Sequence, residues 1–268
     1  MGLKKEELTI VFSEYNTLNE TSKAVESFLH FHPQYKENVI IFDDNSTDGS
    51  FEYFLDKGFK VIRFDESLRL APQYEKAAMV GFHVSEVMKQ VIMNVNTKWL
   101  FHFHNDVIFK KEFMSEFEQA DIDEYDIYCP FGGAEVTEKI ETLPEFDILY
   151  SKKHKCYIRY WEVFMLLNLH RLKELGITYA NYESEELLSR TLPHCLLGAE
   201  IDTGAKFTLD CINNNDRLNI FNFSDEEIRE IIDHEMGIET GSSKQRDIEQ
   251  GIGRNYYERR FNNTLFGI

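Results

Sequence analysis

The chain's most constraining feature is a pattern of apolar runs that each stop at a polar cluster. Leu8 to Phe12 (LTIVF) stops at Ser13-Glu14-Tyr15-Asn16, and Val39 to Phe42 (VIIF) stops at Asp43-Asp44-Asn45-Ser46-Thr47-Asp48-Gly49. Trp99 to Phe103 (WLFHF) stops at His104-Asn105-Asp106. Short continuous apolar runs of this kind fit strands covered on both faces. The third run alternates aromatic and polar residues, which predicts a strand with unlike faces. In extended geometry His104 and Asp106 project together, so an imidazole and a carboxylate stand side by side at a strand end and could hold a divalent cation.

Helical patterns separate the strands. Thr17 followed by Glu20 fits a capping box, ahead of a buried stripe of Ala24, Val25, Phe28 and Leu29. A short helix carrying Phe51, Phe54 and Leu55 stops near Gly58. Phe59 to Phe64 is a further strand, and Pro72 opens a helix with Ala77, Ala78, Val80, Gly81, Val84 and Val87. A basic helix start is expected at Lys110-Lys111. Strands alternating with helices make an α/β fold, a mostly parallel sheet with helices on both faces, and such sheets bind ligands at the carboxyl ends of their strands. All three polar clusters fall at those ends.

The pattern after about Tyr125 is less regular. YDIYCP reads as another strand, Tyr160 to Leu175 as a helix stopping at Gly176, and Glu183 to Leu197 as a helix bent near Pro193. Lys206 to Ile212 reads as a strand. Ser224 to Ile232 reads as a helix with Ser224 as cap and Glu227 completing the box. No repeat, low-complexity segment or flexible linker divides the 268 residues. One domain is expected, with a nucleotide-binding half to about residue 110 and a more irregular half beyond it.

The formal net charge of -18 argues against nucleic acid or anionic lipid as a general partner. An anionic small substrate then needs a local metal ion or basic group. No apolar run is long enough to span a membrane, and MGLKKEEL lacks an apolar signal core. Cys129, Cys156, Cys195 and Cys211 lie far apart without CxxC spacing, which reads as reduced thiols in a cytoplasmic protein.

The motifs LTIVFSEYN, VIIFDDNSTDGS, EKAAMVGF and WLFHFHNDV, in this order, resemble the family 2 glycosyltransferases of the GT-A fold. The resemblance covers roughly the first 110 residues well and the remainder loosely. It implies a sugar transferred from a nucleotide-diphosphate donor to a glycan or glycolipid hydroxyl, with metal assistance and inversion. Ser13, Tyr15 and Asn16 would line the nucleotide site, and Asp44 would accept a hydrogen bond from the base. An acceptor there matches the N–H edge of uracil or thymine, or the donors of guanine, and UDP-sugars are the favoured donors. One aspartate of the acidic turn would instead cap the following helix, with Asp43 or Asp48 the candidates.

Lys76 falls where the resemblance implies a group near the diphosphate. His104-Asn105-Asp106 falls at the metal motif, usually Asp-x-Asp: Asp106 matches the metal ligand, His104 replaces the first aspartate, and Asn105 lies between. An imidazole shifts the preferred ion from Mg²⁺ towards Mn²⁺. His102 reads as a packed sheet histidine.

The implied catalytic base sits in a pattern that Glu183-Ser184-Glu185-Glu186-Leu187-Leu188-Ser189-Arg190 matches except at the base, where Ser184 stands. Glu183, Glu185 or Asp202 would take its place. His234, ahead of Gly237 and Gly241, would close over metal and diphosphate, with Thr240, Ser242, Ser243, Lys244 and Arg246 near phosphate oxygens. The C-terminal GRNYYERRFNNTLF gathers arginine and aromatics, which fits at most peripheral membrane contact. Two other readings follow from the residues: a catalytically degenerate sugar-nucleotide-binding or scaffold domain, and a nucleotidyltransferase, for which the glycine-rich basic loop is missing.

Overall fold

The computed structural model describes residues 1–68, 79–132, 141–143, 148–151, 156–157, 159–160, 162–179 and 205–234. The elements in chain order are β1 (Leu8–Glu14), α1 (Leu18–Phe31), β2 (Val39–Asp43), α2 (Ser50–Asp56), β3 (Lys60–Arg63), α3 (Met79–Asn94), β4 (Trp99–Phe103), β5 (Ile108–Phe109), α4 (Met114–Gln119) and β6 (Ile127–Gly132). They continue with β7 (Glu141–Leu143), β8 (Ile148–Ser151), β9 (Cys156–Tyr157), β10 (Arg159–Tyr160), β11 (Phe164–Asn168), α5 (Leu169–Glu174), α6 (Ala205–Asn213), β12 (Ile220–Phe223), α7 (Asp225–Ile231) and β13 (Ile232–Asp233).

The main sheet has eight strands in the order β10-β6-β11-β4-β1-β2-β3, with β12 on β6. β1 pairs in parallel with β2 and β4, and β2 pairs in parallel with β3. Consequently the ends of β1, β2 and β4 open on one edge. β11 runs antiparallel between β4 and β6. β7, β8 and β9 form a separate small antiparallel sheet.

Both faces of the sheet are covered at β1, β2 and β4, which is why these strands are mostly apolar. Every residue of β4 is buried, so the unlike faces expected from its alternation are turned to two different cores. Trp99, Phe101 and Phe103 enter one core with Phe12, Phe28, Phe109, Phe113 and Phe164. Leu100 enters the other with Val11, Phe42, Val87, Val91 and Phe207. In the first core the Phe101 and Phe103 rings stack at 4.4 Å, and Phe28 meets Phe109 edge-on at 5.2 Å. Removing one such ring costs about 3–5 kcal/mol.

Several local expectations are corrected. Phe164–Asn168 is a strand rather than part of a helix, and the helix is confined to Leu169–Glu174. Gly176, at φ 69°, does stand just beyond it. Ala205–Asn213 is a helix rather than a strand, because Phe207 and Cys211, one turn apart, both face the second core. Ile108–Phe109 pairs with β13, which delays the helix expected at Lys110-Lys111 to Met114. Thr17 stands at the N-cap of α1 but makes no side-chain cap bond. Ser224 and Glu227 form the expected capping box on α7. Cys129 and Cys211 are free and buried, and burial pushes both thiols up.

His32 closes α1 fully buried, its ring 4.8 Å from Phe28 and 4.7 Å from Phe113. Among the described residues neither ring nitrogen has a hydrogen-bond partner, and Glu112 lies 3.5 Å from Nδ1. Burial lowers its pKa to about 4, against a weaker opposing pull from Glu112 and Glu118. The unfolded chain therefore binds the extra proton between pH 6.5 and 4, and stability is lost as pH falls through that window. The loss from this group is on the order of 3 kcal/mol. Urea unfolding at pH 7 and pH 5 checks this: His32→Leu flattens the acid limb, and an unchanged slope contradicts the assignment.

Candidate active site at the strand ends

The site is built on a buried polar network that locks the three strand ends together. Glu14, the last residue of β1, is 1% exposed. Its carboxylate accepts from the Thr17 amide at 2.7 Å, the Thr17 hydroxyl at 3.1 Å, the Ser50 hydroxyl at 3.0 Å and the Thr21 hydroxyl. Burial raises the Glu14 pKa, while the bonds from Thr21, Thr17 and Ser50 oppose that rise. Thr17 and Thr21, with their hydrogens committed to Glu14, accept from the Asn105 side-chain amide. Asn105 thus ties the turn after β4 to α1, and its side chain is buried.

The turns after β1 and β2 are sewn together in the same way. Asn16, at φ 51°, takes a left-handed conformation that asparagine tolerates. Its amide donates to Ser46 Oγ at 3.1 Å, and its Oδ1 accepts from the Thr47 amide at 2.7 Å. Asp43 is fully buried and accepts from the Ser46 amide and from Arg63 Nε, both at 3.2 Å. Asp48 accepts from the Ser50 and Leu18 amides at 3.1 and 2.9 Å. Both aspartates hold helix starts and turns. Asp44 is buried beside them, and its amide donates to the Glu14 carbonyl at 2.8 Å.

Ser13 and Tyr15 are half-buried at the end of β1. Ser13 Oγ lies 3.0 Å from His102 Nε2, and His102 Nδ1 lies 3.0 Å from the Glu162 carbonyl. Nδ1 facing a carbonyl must carry the proton, so Nε2 accepts from Ser13. Burial, then the neighbouring His104, lower the His102 pKa to about 4, which keeps this packed ring neutral.

The turn after β4 presents His104 and Asp106, and the end of β13 brings His234 to them from far along the chain. The β13–β5 pairing is what delivers it: Asp233 lies opposite Ile108. His234 Nε2 is 3.1 Å from Asp106 Oδ1 and 3.3 Å from His104 Nδ1, and His104 Nδ1 is 3.6 Å from Asp106 Oδ1. His104 and Asp106 meet through a turn rather than along an extended strand, because β4 ends at Phe103. Burial alone would raise Asp106, but the two histidines hold its carboxyl well below the usual range. Burial alone would lower His104, yet the Asp106 and Glu162 carboxylates bring it up to about 9.

Parallel β3-β2-β1-β4 with an antiparallel β11 beside β4, and a His-x-Asp turn at the end of β4, decide the architecture. The chain has a GT-A-type fold. Among the described residues, His104, Asp106 and His234 form a group whose ligand atoms all fall within 4.8 Å of one another.

These residues fit a divalent cation. Asp106 Oδ1 is buried and, among the described residues, receives no hydrogen bond of good geometry. With bonds of about 2.0–2.2 Å, neighbouring ligand atoms lie roughly 3–3.5 Å apart, which is the spacing of this triangle. Two imidazole nitrogens and one carboxylate oxygen suit a transition-series ion better than an all-oxygen one.

No family model matches the chain, and no curated protein matches it. Among solved structures, S. aureus TarS is similar at 16% identity, over 82% of this chain and 35% of that one, with a TM-score of 0.48. Glucosyl-3-phosphoglycerate synthase from Mycobacterium tuberculosis is similar at 13% identity over 82% of this chain and 70% of that one, with a TM-score of 0.48. Mannosyltransferase PcManGT from Pyrobaculum calidifontis, in complex with GDP-Man and Mn²⁺, is 10% identical over 82% of this chain and 55% of that one, with a TM-score of 0.45. This chain therefore spans about a third of TarS and just over half of the mannosyltransferase. Strand order and connectivity, rather than these likenesses, define the GT-A fold here.

Of the residues singled out in the sequence, Ser13, Tyr15, Asn16, Asp44, His104, Asn105, Asp106 and His234 have described positions at the ends of β1, β2, β4 and β13. Lys76, Glu183, Glu185 and Asp202, the loop after His234 and the C-terminal arginine-aromatic segment lie outside the described residues. Glu162 is the site residue that sequence reasoning missed. It is 3% exposed, and its carboxylate is 3.8 Å from His104 Nε2. No motif marks it; only the strand assignment of Phe164–Asn168 could have placed it beside His104. Among the described residues no helix is long and apolar enough to cross a membrane.

Proposed function

We propose that the chain is a metal-assisted glycosyltransferase that takes its sugar from a nucleotide-diphosphate donor, with UDP-sugars favoured and a glycan or glycolipid hydroxyl as acceptor. The observation that carries this reading is the meeting of His104, Asp106 and His234 at the edge where β1, β2 and β4 end. An anionic donor has no reason to approach a protein of net charge -18 unless its phosphates are neutralised locally. Asp106, His104 and His234 would hold a divalent ion, with Mn²⁺ favoured over Mg²⁺, and the ion would offset charge on the departing diphosphate.

This chain's own residues bind and orient. Asn16 and the Glu14 network hold the first two strand-end turns in one arrangement, which presents Ser13, Tyr15 and Asp44 to the base and ribose. Ser13, whose proton is directed to His102, meets the ligand as an acceptor. Asp44 is an acceptor as well, and together they suit a base edge with N–H donors such as uracil. The acceptor hydroxyl loses its proton to a carboxylate, for which Glu183, Glu185 and Asp202 are the candidates, and one displacement then inverts the sugar.

Asp44→Ala is expected to weaken UDP binding by about 1–3 kcal/mol while leaving Mn²⁺ affinity unchanged. Calorimetry measures both, and unchanged UDP affinity would return Asp44 to a structural role. Mn²⁺-dependent release of UDP from UDP-sugars tests the reaction itself. Binding without release from any UDP-, GDP- or dTDP-sugar, with acceptor glycans present, would contradict transfer in favour of a binding domain.

A further inference from the structure

The antiparallel register of β11 on β4 sets Phe164 opposite Phe103, so the residues just before Phe164 lie beside the turn that follows β4. The His104 amide donates to the Val163 carbonyl at 3.3 Å, which fixes that approach. Glu162 then faces His102 of the strand and His104 of the turn: its carbonyl accepts from His102 Nδ1 at 3.0 Å, and its carboxylate stands 3.8 Å from His104 Nε2. The other nitrogen of the same His104 ring, Nδ1, faces Asp106 and His234. The ring is thus held between a buried carboxylate on one side and the candidate cation site on the other.

We propose that Glu162 is a positioning residue of this centre: its carboxylate, 3.8 Å from Nε2, favours the His104 proton on that nitrogen, so that the Nδ1 lone pair is presented to the cation shared with Asp106 and His234. The inference rests on the metal-assisted reading above and adds a residue to it. A histidine that binds through one nitrogen needs its proton on the other, and a carboxylate partner fixes that tautomer and makes the ring a better donor.

The test is titration of the metal-free full chain with Mn²⁺ alone, reading free Mn²⁺ by electron paramagnetic resonance. Glu162→Ala is expected to weaken binding roughly 10- to 100-fold, and Glu162→Gln, which keeps an acceptor oxygen, by less. In a His104→Gln background Glu162→Ala should produce no further loss, because the ring through which it acts is gone. Urea midpoints of every variant separate this from loss of fold, and Glu162→Gln carries the same cycle should the alanine variant not fold. Unchanged Mn²⁺ affinity in Glu162→Ala, or the same fold-loss in both backgrounds, overturns the proposal while leaving the metal centre intact. Absence of Mn²⁺ binding by the wild-type chain overturns the metal reading itself, and the role of Glu162 with it.

Discussion

Replacing Asp106 with alanine is expected to abolish metal-dependent nucleotide binding. Asp106 is the only carboxylate in the His104–Asp106–His234 group, and both histidines lie within 3.6 Å of its buried Oδ1. Without it the ion would face two neutral nitrogens, and nothing in the group would match its charge. A loss of roughly 100-fold or more in Mn²⁺ affinity follows, beyond the effect of disturbing an outer partner. UDP affinity should then be the same with Mn²⁺ as with EDTA. Asp106→Asn keeps the shape and removes the charge, which separates electrostatics from packing. A Mn²⁺-dependent gain in UDP affinity that survives in both variants would count against the site.

The second large effect is expected at Glu14, far from any reacting atom. Glu14→Ala removes a buried acceptor from the Thr17 amide and from the hydroxyls of Thr17, Thr21 and Ser50, of which Ser50 also donates to Asp48. The cost is roughly 3–5 kcal/mol, measurable as a lowered urea midpoint. Glu14→Gln keeps one acceptor and adds donors that the hydroxyls can accept, so it should cost about 1–2 kcal/mol. Because Asn105 hangs from Thr17 and Thr21, the alanine variant should also loosen the turn that carries His104 and Asp106. Equal stability of the two variants would show that the network does not bear on the fold.

The same network explains what the sequence disclosed and what it hid. The strands LTIVF, VIIF and WLFHF were legible because burial on both faces leaves few polar residues inside them, and polar clusters end them. His104 and Asp106 were legible as a pair and His234 as a residue closing over their metal, and the β13–β5 pairing is what brings the third to the first two. The Thr17–Glu20 box had the right spacing, but a buried carboxylate at Glu14 draws the Thr17 hydroxyl away from capping. On α7, where Ser224 and Glu227 have no such competitor, the box forms.

Phe164–Asn168 illustrates a different ambiguity. A short apolar run suits a buried strand and a buried helix equally, and the choice falls to its neighbours β4 and β6. Misreading that strand also concealed Glu162, whose importance lies wholly in the register across from His104. KFTLDCI failed for a related reason, since its apolar residues satisfy both a two-residue and a helical period until Phe207 and Cys211 meet the core.

The most direct measurement of the central claim is calorimetric titration of the wild-type chain with UDP, GDP and dTDP, each with Mn²⁺, with Mg²⁺ and with EDTA. The predicted result is binding of UDP that requires the metal, is stronger with Mn²⁺ than with Mg²⁺, and exceeds that of GDP and dTDP. Absence of binding by every nucleotide under every condition would contradict the glycosyltransferase reading and leave a GT-A-type fold serving some other purpose.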